Sequence, residues 1–260
     1  MNMPRIGVST LYCLHLPFEE MIEYLPKVGT PYIEIVDDGL HALNSKRVKV
    51  LNDISSSYDL QFTVHAPFAD MNIASPSEVI LSAVLKRLKK SILCASDLNC
   101  QTWVFHPGLK TGLSSVYPGK DWSENMKSIH FLFNFAENHG ISAAIENMPE
   151  NIPFLLKNVE DFKAFYRQKG EDIGLVLDIG HANLNNQIED FLINFADRIV
   201  HIHAHDNKGE SDQHLEIGGG NVDWKKIAPY LKNISYAHTI SVESINNVQQ
   251  SISNLRDLLG

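Results

Sequence analysis

Cysteine is scarce in this chain, and its spacing is uninformative. Only Cys13, Cys94 and Cys100 occur, an odd number with no CxxC step, which argues against a disulfide framework and a thiolate zinc site. Reduced thiols of this kind fit a cytoplasmic protein. Positive charge is also short, with 22 Lys and Arg against 31 Asp and Glu and a formal net charge of −9. A protein that holds nucleic acid mainly by electrostatics needs the opposite balance. Carboxylates offset by bound cations remain compatible with it. No apolar run approaches the roughly 18 residues of a membrane span, so no membrane association is expected. The opening MNMPRIGVST lacks a charged segment followed by an apolar one, so no signal peptide is expected. With no low-complexity linker and no composition shift, residues 1–260 are expected to form one domain.

What is present is a repeated alternation. Short runs rich in β-branched residues fall at 5–10, 32–37, 62–67, 102–108, 141–148, 174–181, 198–206 and 238–244, each of strand length. Amphipathic stretches lie between them: PFEEMIEYLPKVG, SPSEVILSAVLKRLKKSILCASDLN, DWSENMKSIHFLFNFAENHG, VEDFKAFYRQKG, QIEDFLINFAD, VDWKKIAPYLKN and NVQQSISNLRDLL. Asp121 or Ser123 is a candidate N-cap of the third, and Gly140 its stop. Strands alternating with helices form a parallel sheet covered by helices, and eight of them favour an α/β fold closed as a single (β/α)8 TIM barrel. An open doubly wound sheet is the alternative.

The ionisable residues gather at one end of these strands. Strand three ends with His65, four with His106, five with Glu146, six with Asp178 and His181, and eight with Glu243. Strand seven runs into HIHAHDNKGESDQH, with four histidines and three acids in residues 201–214. Each residue alone reads more readily as a hydrogen-bonded structural side chain. Together they would put many charges into one apolar barrel, and buried charges need compensation. A divalent cation supplies it, and mixed imidazole and carboxylate ligands suit zinc first, with manganese or cobalt as alternatives.

The motifs VHAPFADMNIAS, FHPG, IENMP, LDIGHAN, HAHDNKG…DQH…IGGGNVDW and VES resemble the xylose isomerase-like TIM barrels. Within them, the similarity is to the branch that holds endonuclease IV and the sugar-phosphate isomerase/epimerase-like proteins (AP endonuclease family 2). The endonuclease resemblance implies up to three ions: one on His65, His106 and Glu146, a second on Glu146, Asp178, His203 and Glu243, and a third on His181, Asp212 and His214. It places Phe68, Asn72, His205, Lys208, Gly218 and Gly220 beside the substrate and leaves His201 as an interior structural residue. The glycines would let backbone N–H groups approach a phosphate, or simply mark a turn.

Two chemistries follow from the resemblance. A hydrolase that splits a phosphoester or related bond on a sugar-containing substrate would use all three ions, with Glu146 bridging two of them. This is the leading expectation, because an isomerase leaves His181, Asp212 and His214 without a metal. A sugar or sugar-phosphate isomerase or epimerase is the alternative. It would need one metal on Glu146, Asp178, His203 and Glu243, with Glu146 and Glu243 moving the proton. A metal-stabilised binding protein is a third reading. A small sugar-containing or phosphorylated substrate is expected rather than DNA, because DDGLHALN after strand two is acidic and Phe68 and Ala69 replace residues that invade a duplex. The oligomeric state is left open.

Overall fold

The computed structural model describes residues 3–168 and 173–260, and over them the alternation closes on itself. The strands are β1 Arg5–Ser9, β2 Tyr32–Val36, β3 Gln61–His65, β4 Thr102–Phe105, β5 Ser142–Glu146, β6 Gly174–Asp178, β7 Ile199–Ala204 and β8 Thr239–Val242. They pair in parallel in sequence order, and β1 pairs with β8. The chain is therefore a closed (β/α)8 barrel and not an open sheet. No helix among the described residues is long and apolar enough to cross a membrane.

The helices depart from the sequence reading in three places. A helix over Ser45–Tyr58 follows β2, where SKRVKVLNDISSSY is too polar to announce itself. Its start is fixed by the Asn44 side chain, which accepts the N–H groups of Lys46 and Arg47. The helix after β4 begins at Lys120, one residue past Gly119, so neither Asp121 nor Ser123 caps it. After β6 the strand stops at Asp178 and a short helix, Ile179–Leu184, starts at once. His181 is thus a helical residue rather than the end of a strand. The last two residues of VEDFKAFYRQKG, 169–170, lie outside the described residues.

Strand pleat decides what faces where. On β4, Trp103 and Phe105 belong to the large core between sheet and helices, while Val104 points inside with Ala144 and Val176. Two residues on, the same faces present His106, Glu146 and Asp178. The other half of the interior is polar: Glu34, His201, His203 and Ser241 are all buried. Register then sets neighbours. Asp178 lies beside His203, and His203 beside Ser241.

The long segment after β7 is anchored by Asp206, which is fully buried. One carboxylate oxygen accepts the N–H groups of Asn207 (2.9 Å) and Val222 (3.1 Å), and the other accepts Gly218 N–H (3.0 Å) and the Trp224 indole N–H (3.0 Å). Its backbone pairs with Leu215 in both directions. The loop carrying Asp212 and His214 is thereby held over the barrel mouth. Asp206→Ala removes the acceptor of these four N–H groups and is expected to cost about 3 kcal/mol or more. Urea denaturation reads this directly, and an unchanged midpoint would contradict it.

Candidate metal centre

Three backbone carbonyls aim three of the imidazoles. His65 Nδ1–H donates to Ala66 O (2.8 Å), His181 Nδ1–H to Asn147 O (2.8 Å) and His214 Nδ1–H to Glu243 O (2.9 Å). With Nδ1 engaged, Nε2 of each faces the cavity floor, the device by which proteins orient metal-binding histidines. Asn147 does more: its side chain brackets the Asp178 backbone, accepting its N–H (2.7 Å) and donating to its carbonyl (3.1 Å). Asp178 in turn caps the helix that carries His181, accepting the His181 N–H at 2.7 Å.

The carboxylates lie among these rings. Glu146 has four imidazole nitrogens within 3.4 Å, from His65, His106, His181 and His203. His203 Nδ1 is 3.2 Å from Glu146, 3.6 Å from Glu243 and 3.8 Å from Asp178. Asp212 lies 3.2 Å from His181 Nε2 and 3.3 Å from His214 Nε2. Yet Glu146 Oε2, His203 Nδ1 and Asp212 Oδ1 are buried without a hydrogen-bond partner. These three unpartnered atoms, beside others that pair within the cluster, fit a set of donors able to take a cation. His65, His106 and Glu146 form one group that could hold a metal ion. Glu146, Asp178 and His181 form another, and His181, His205, Asp212 and His214 a third.

Charge follows from the crowding. Burial pushes the His181 imidazole down, but Asp178, Asp212 and Glu146 override it and raise it to about 10. Burial opposes Asp212 in the same way at His214, which is raised to about 9. His203 is likewise lifted well above its ordinary value against burial, by Glu243, Glu34 and Glu146. Glu146 is held well below the usual carboxylate range, where His203 and His106 outweigh desolvation.

One buried carboxylate was not legible as a site residue. Glu34 on β2 is fully buried, 2.9 Å from His201 Nε2 and 3.2 Å from His203 Nε2. It therefore sits directly beneath His203, on the side opposite the three upper carboxylates. His201 contributes to this same buried contact. A charged residue at an inward position of the apolar run YIEIV was the available signal.

The residues expected beside the substrate separate. Phe68 lines a cavity of about 390 Å³ above the cluster, its ring stacked at 5.7 Å on His106. The others are not brought to it. Asn72 ties two loops, accepting the N–H groups of Ala74 and Leu109 and donating to Leu109 O. His205 is wholly buried, stacked on His214 at 3.8 Å and packed where only glycine fits at Gly180. Lys208 is exposed, outside the cavity lining. Gly218 N–H is engaged by Asp206, and Gly220 lies so close to Asn207 and Asp206 that a Cβ would collide with them. These two glycines therefore serve a packed turn and not a phosphate cradle. A larger cavity, about 560 Å³, opens at the opposite end of the barrel among Arg5, Tyr32 and Thr63, away from the ionisable cluster.

Fold and site together define a barrel with a buried cluster able to hold metal. The family described as xylose isomerase-like TIM barrel matches residues 22–258, and the chain belongs to it. Two uncharacterized proteins of Methanocaldococcus jannaschii are similar throughout: MJ1614 is 33% identical across 98% of this chain and 99% of its own length, and MJ1311 32% identical across 93% and 84%. Among solved structures, a D-tagatose 3-epimerase-like protein superimposes with a TM-score of 0.92 at 31% identity, covering 98% of this chain and 97% of that one. A D-psicose 3-epimerase from Clostridium cellulolyticum H10 gives 0.80 at 16% identity over 98% and 99%. The fold is one that sugar-processing enzymes use.

These likenesses correct the expected hydrolase, since the similar structures are sugar 3-epimerases and xylose isomerase-like proteins. Among the described residues lining the cavity there is no Lys or Arg.

The raised imidazoles make a pH test of the centre. A histidine raised on folding stabilises fully below its unfolded value near 6.5, and that stability is lost as pH rises through its folded value. For His214 and His181 the window therefore runs up to about 9 and about 10. A divalent cation must displace these protons, so its stabilisation grows over the same window. Thermal denaturation with and without Mn²⁺ is expected to show a gap in Tm that widens as pH rises from about 6 to 9; a narrowing gap would contradict the assignment.

Proposed function

We propose that the chain is a metal-dependent epimerase or isomerase of an unphosphorylated sugar, with Glu146 and Glu243 as its acid–base pair. The observation that carries this reading is the approach of Glu146, Glu243 and Asp178 to the single unpartnered nitrogen of His203. Glu146, Asp178, His203 and Glu243 would hold one divalent cation. When bound, such an ion supplies Lewis acidity that polarises a carbonyl and the adjacent hydroxyl.

The rest falls to the side chains. Two carboxylates flanking one site can take a proton from one face of a carbon beside a carbonyl and return it to the other face. Glu146, kept ionised by its imidazole neighbours, suits the role of base, and Glu243 that of the partner acid. The names of the similar structures favour carbon 3 of a ketose as the reacting carbon. His65 Nε2 and His106 Nε2 lie 3.4 and 3.1 Å from Glu146 Oε2, close enough to favour its ionised form. His181, Asp212 and His214 line the cavity and are assigned to the substrate's oxygens. Among the described lining residues there is no Lys or Arg, the side chains that most often recognise a phosphate group, which supports a neutral sugar over a sugar phosphate.

In D2O with Mn²⁺ and a ketohexose such as D-tagatose, deuterium is expected to enter at carbon 3. Glu243→Gln is expected to slow that exchange by about 100- to 10,000-fold. Exchange at the parental rate in the metal-loaded variant would remove Glu243 from the mechanism.

A further inference from the structure

The polar side chains that line the cavity are His65, His106, Glu146, His181, Asp212, His214 and Glu243, and all of them belong to the ionisable floor. Above them the wall is apolar: Leu11, Phe68, Met148, Ile152, Phe154 and Ile245. Among the described lining residues there is no Ser, Thr, Asn, Gln, Tyr or Trp. Phe68 and Phe154 flank His106, one ring stacked on it at 5.7 Å and the other edge-on at 5.9 Å. At the rim, Ile152 and Ile245 are 39% and 47% exposed, although the chain has an ample core in which to bury isoleucine.

A free hexose carries hydroxyls along its whole length. Its reacting end would meet the floor, but the far hydroxyls would leave water for a wall that offers them no side-chain partner. An unpartnered hydroxyl in an apolar site loses its hydration without compensation, while a methyl or alkyl group there gains from leaving water. A cavity of about 390 Å³ falls within the usual range for small-molecule sites, roughly 300–1,000 Å³.

We infer that the substrate is a neutral sugar with an apolar far end, a deoxy or alkyl-bearing ketose rather than a fully hydroxylated one. This rests on the epimerase or isomerase reading for the orientation of the sugar, but its recognition step is measured separately from turnover. Binding of 6-deoxy-D-tagatose and of D-tagatose to the Mn²⁺-loaded protein is compared by calorimetry, and solvent deuterium exchange is followed for both. The 6-deoxy sugar is expected to bind about 10- to 100-fold tighter, the range by which an apolar pocket discriminates against an added hydroxyl. Ile245→Thr and Ile152→Thr, each at an exposed rim position, are expected to shrink that ratio. Equal binding, tighter binding of D-tagatose, or binding of neither sugar overturns the inference. A 6-deoxy preference without deuterium exchange upholds the apolar-end site and instead removes the epimerase or isomerase reading.

Discussion

Three buried carboxylates share one imidazole nitrogen, and much of the barrel's upper half is arranged around that fact. Glu146, Asp178 and Glu243 approach His203 Nδ1 within 3.8 Å, with Glu34 beneath the same ring. Like charges this close in a site removed from water are unfavourable unless positive charge is supplied. Protons on the histidines provide it in the metal-free protein, which is why His181, His203 and His214 are raised. A divalent ion bound there would provide it more compactly and would engage atoms that the histidine protons leave unpaired.

Holding such a cluster requires rigidity that its own interactions oppose. The barrel supplies it through register, which places Asp178 beside His203, and through backbone carbonyls that lock three imidazoles. The loop after β7 supplies the rest. Asp206 gathers four N–H groups there, and His214 accepts a left-handed backbone, φ +47°, to reach its place. A non-glycine residue in that region is strained and persists only where its surroundings hold it. Strain at a candidate ligand and overdetermined packing at its anchor belong to one arrangement.

The architecture was legible because strand runs and amphipathic stretches obey different periods, and their number implied closure. The Ser45–Tyr58 helix escaped because it buries only Val48 and Leu51 and shows little apolar stripe. The convergence of His65, His106, Glu146, Asp178, His203 and Glu243 was legible from their positions at or next to strand ends. What surrounds them was not. Asn72, Lys208, Gly218 and Gly220 were assigned from the endonuclease resemblance, and the structure uses Asn72 and the glycines in turns and loop ties instead. Glu34 and Asn147 were missed because their importance lies in what they touch across the barrel. The apolar wall was invisible for a related reason: Leu11, Ile152, Phe154 and Ile245 come from separate loops and meet only after folding. The preference for a hydrolase arose from counting ligands, which does not distinguish side chains that bind metal from side chains that bind substrate.

Equilibrium titration of metal-free protein with Mn²⁺ or Co²⁺, followed by calorimetry, tests the cation site most directly. One tightly bound ion per chain is expected, with protons released on binding and the ion lost when Glu146 is replaced by alanine. Failure to take up either ion, or uptake unaffected by Glu146→Ala, would contradict the reading of these carboxylates and imidazoles as a metal centre.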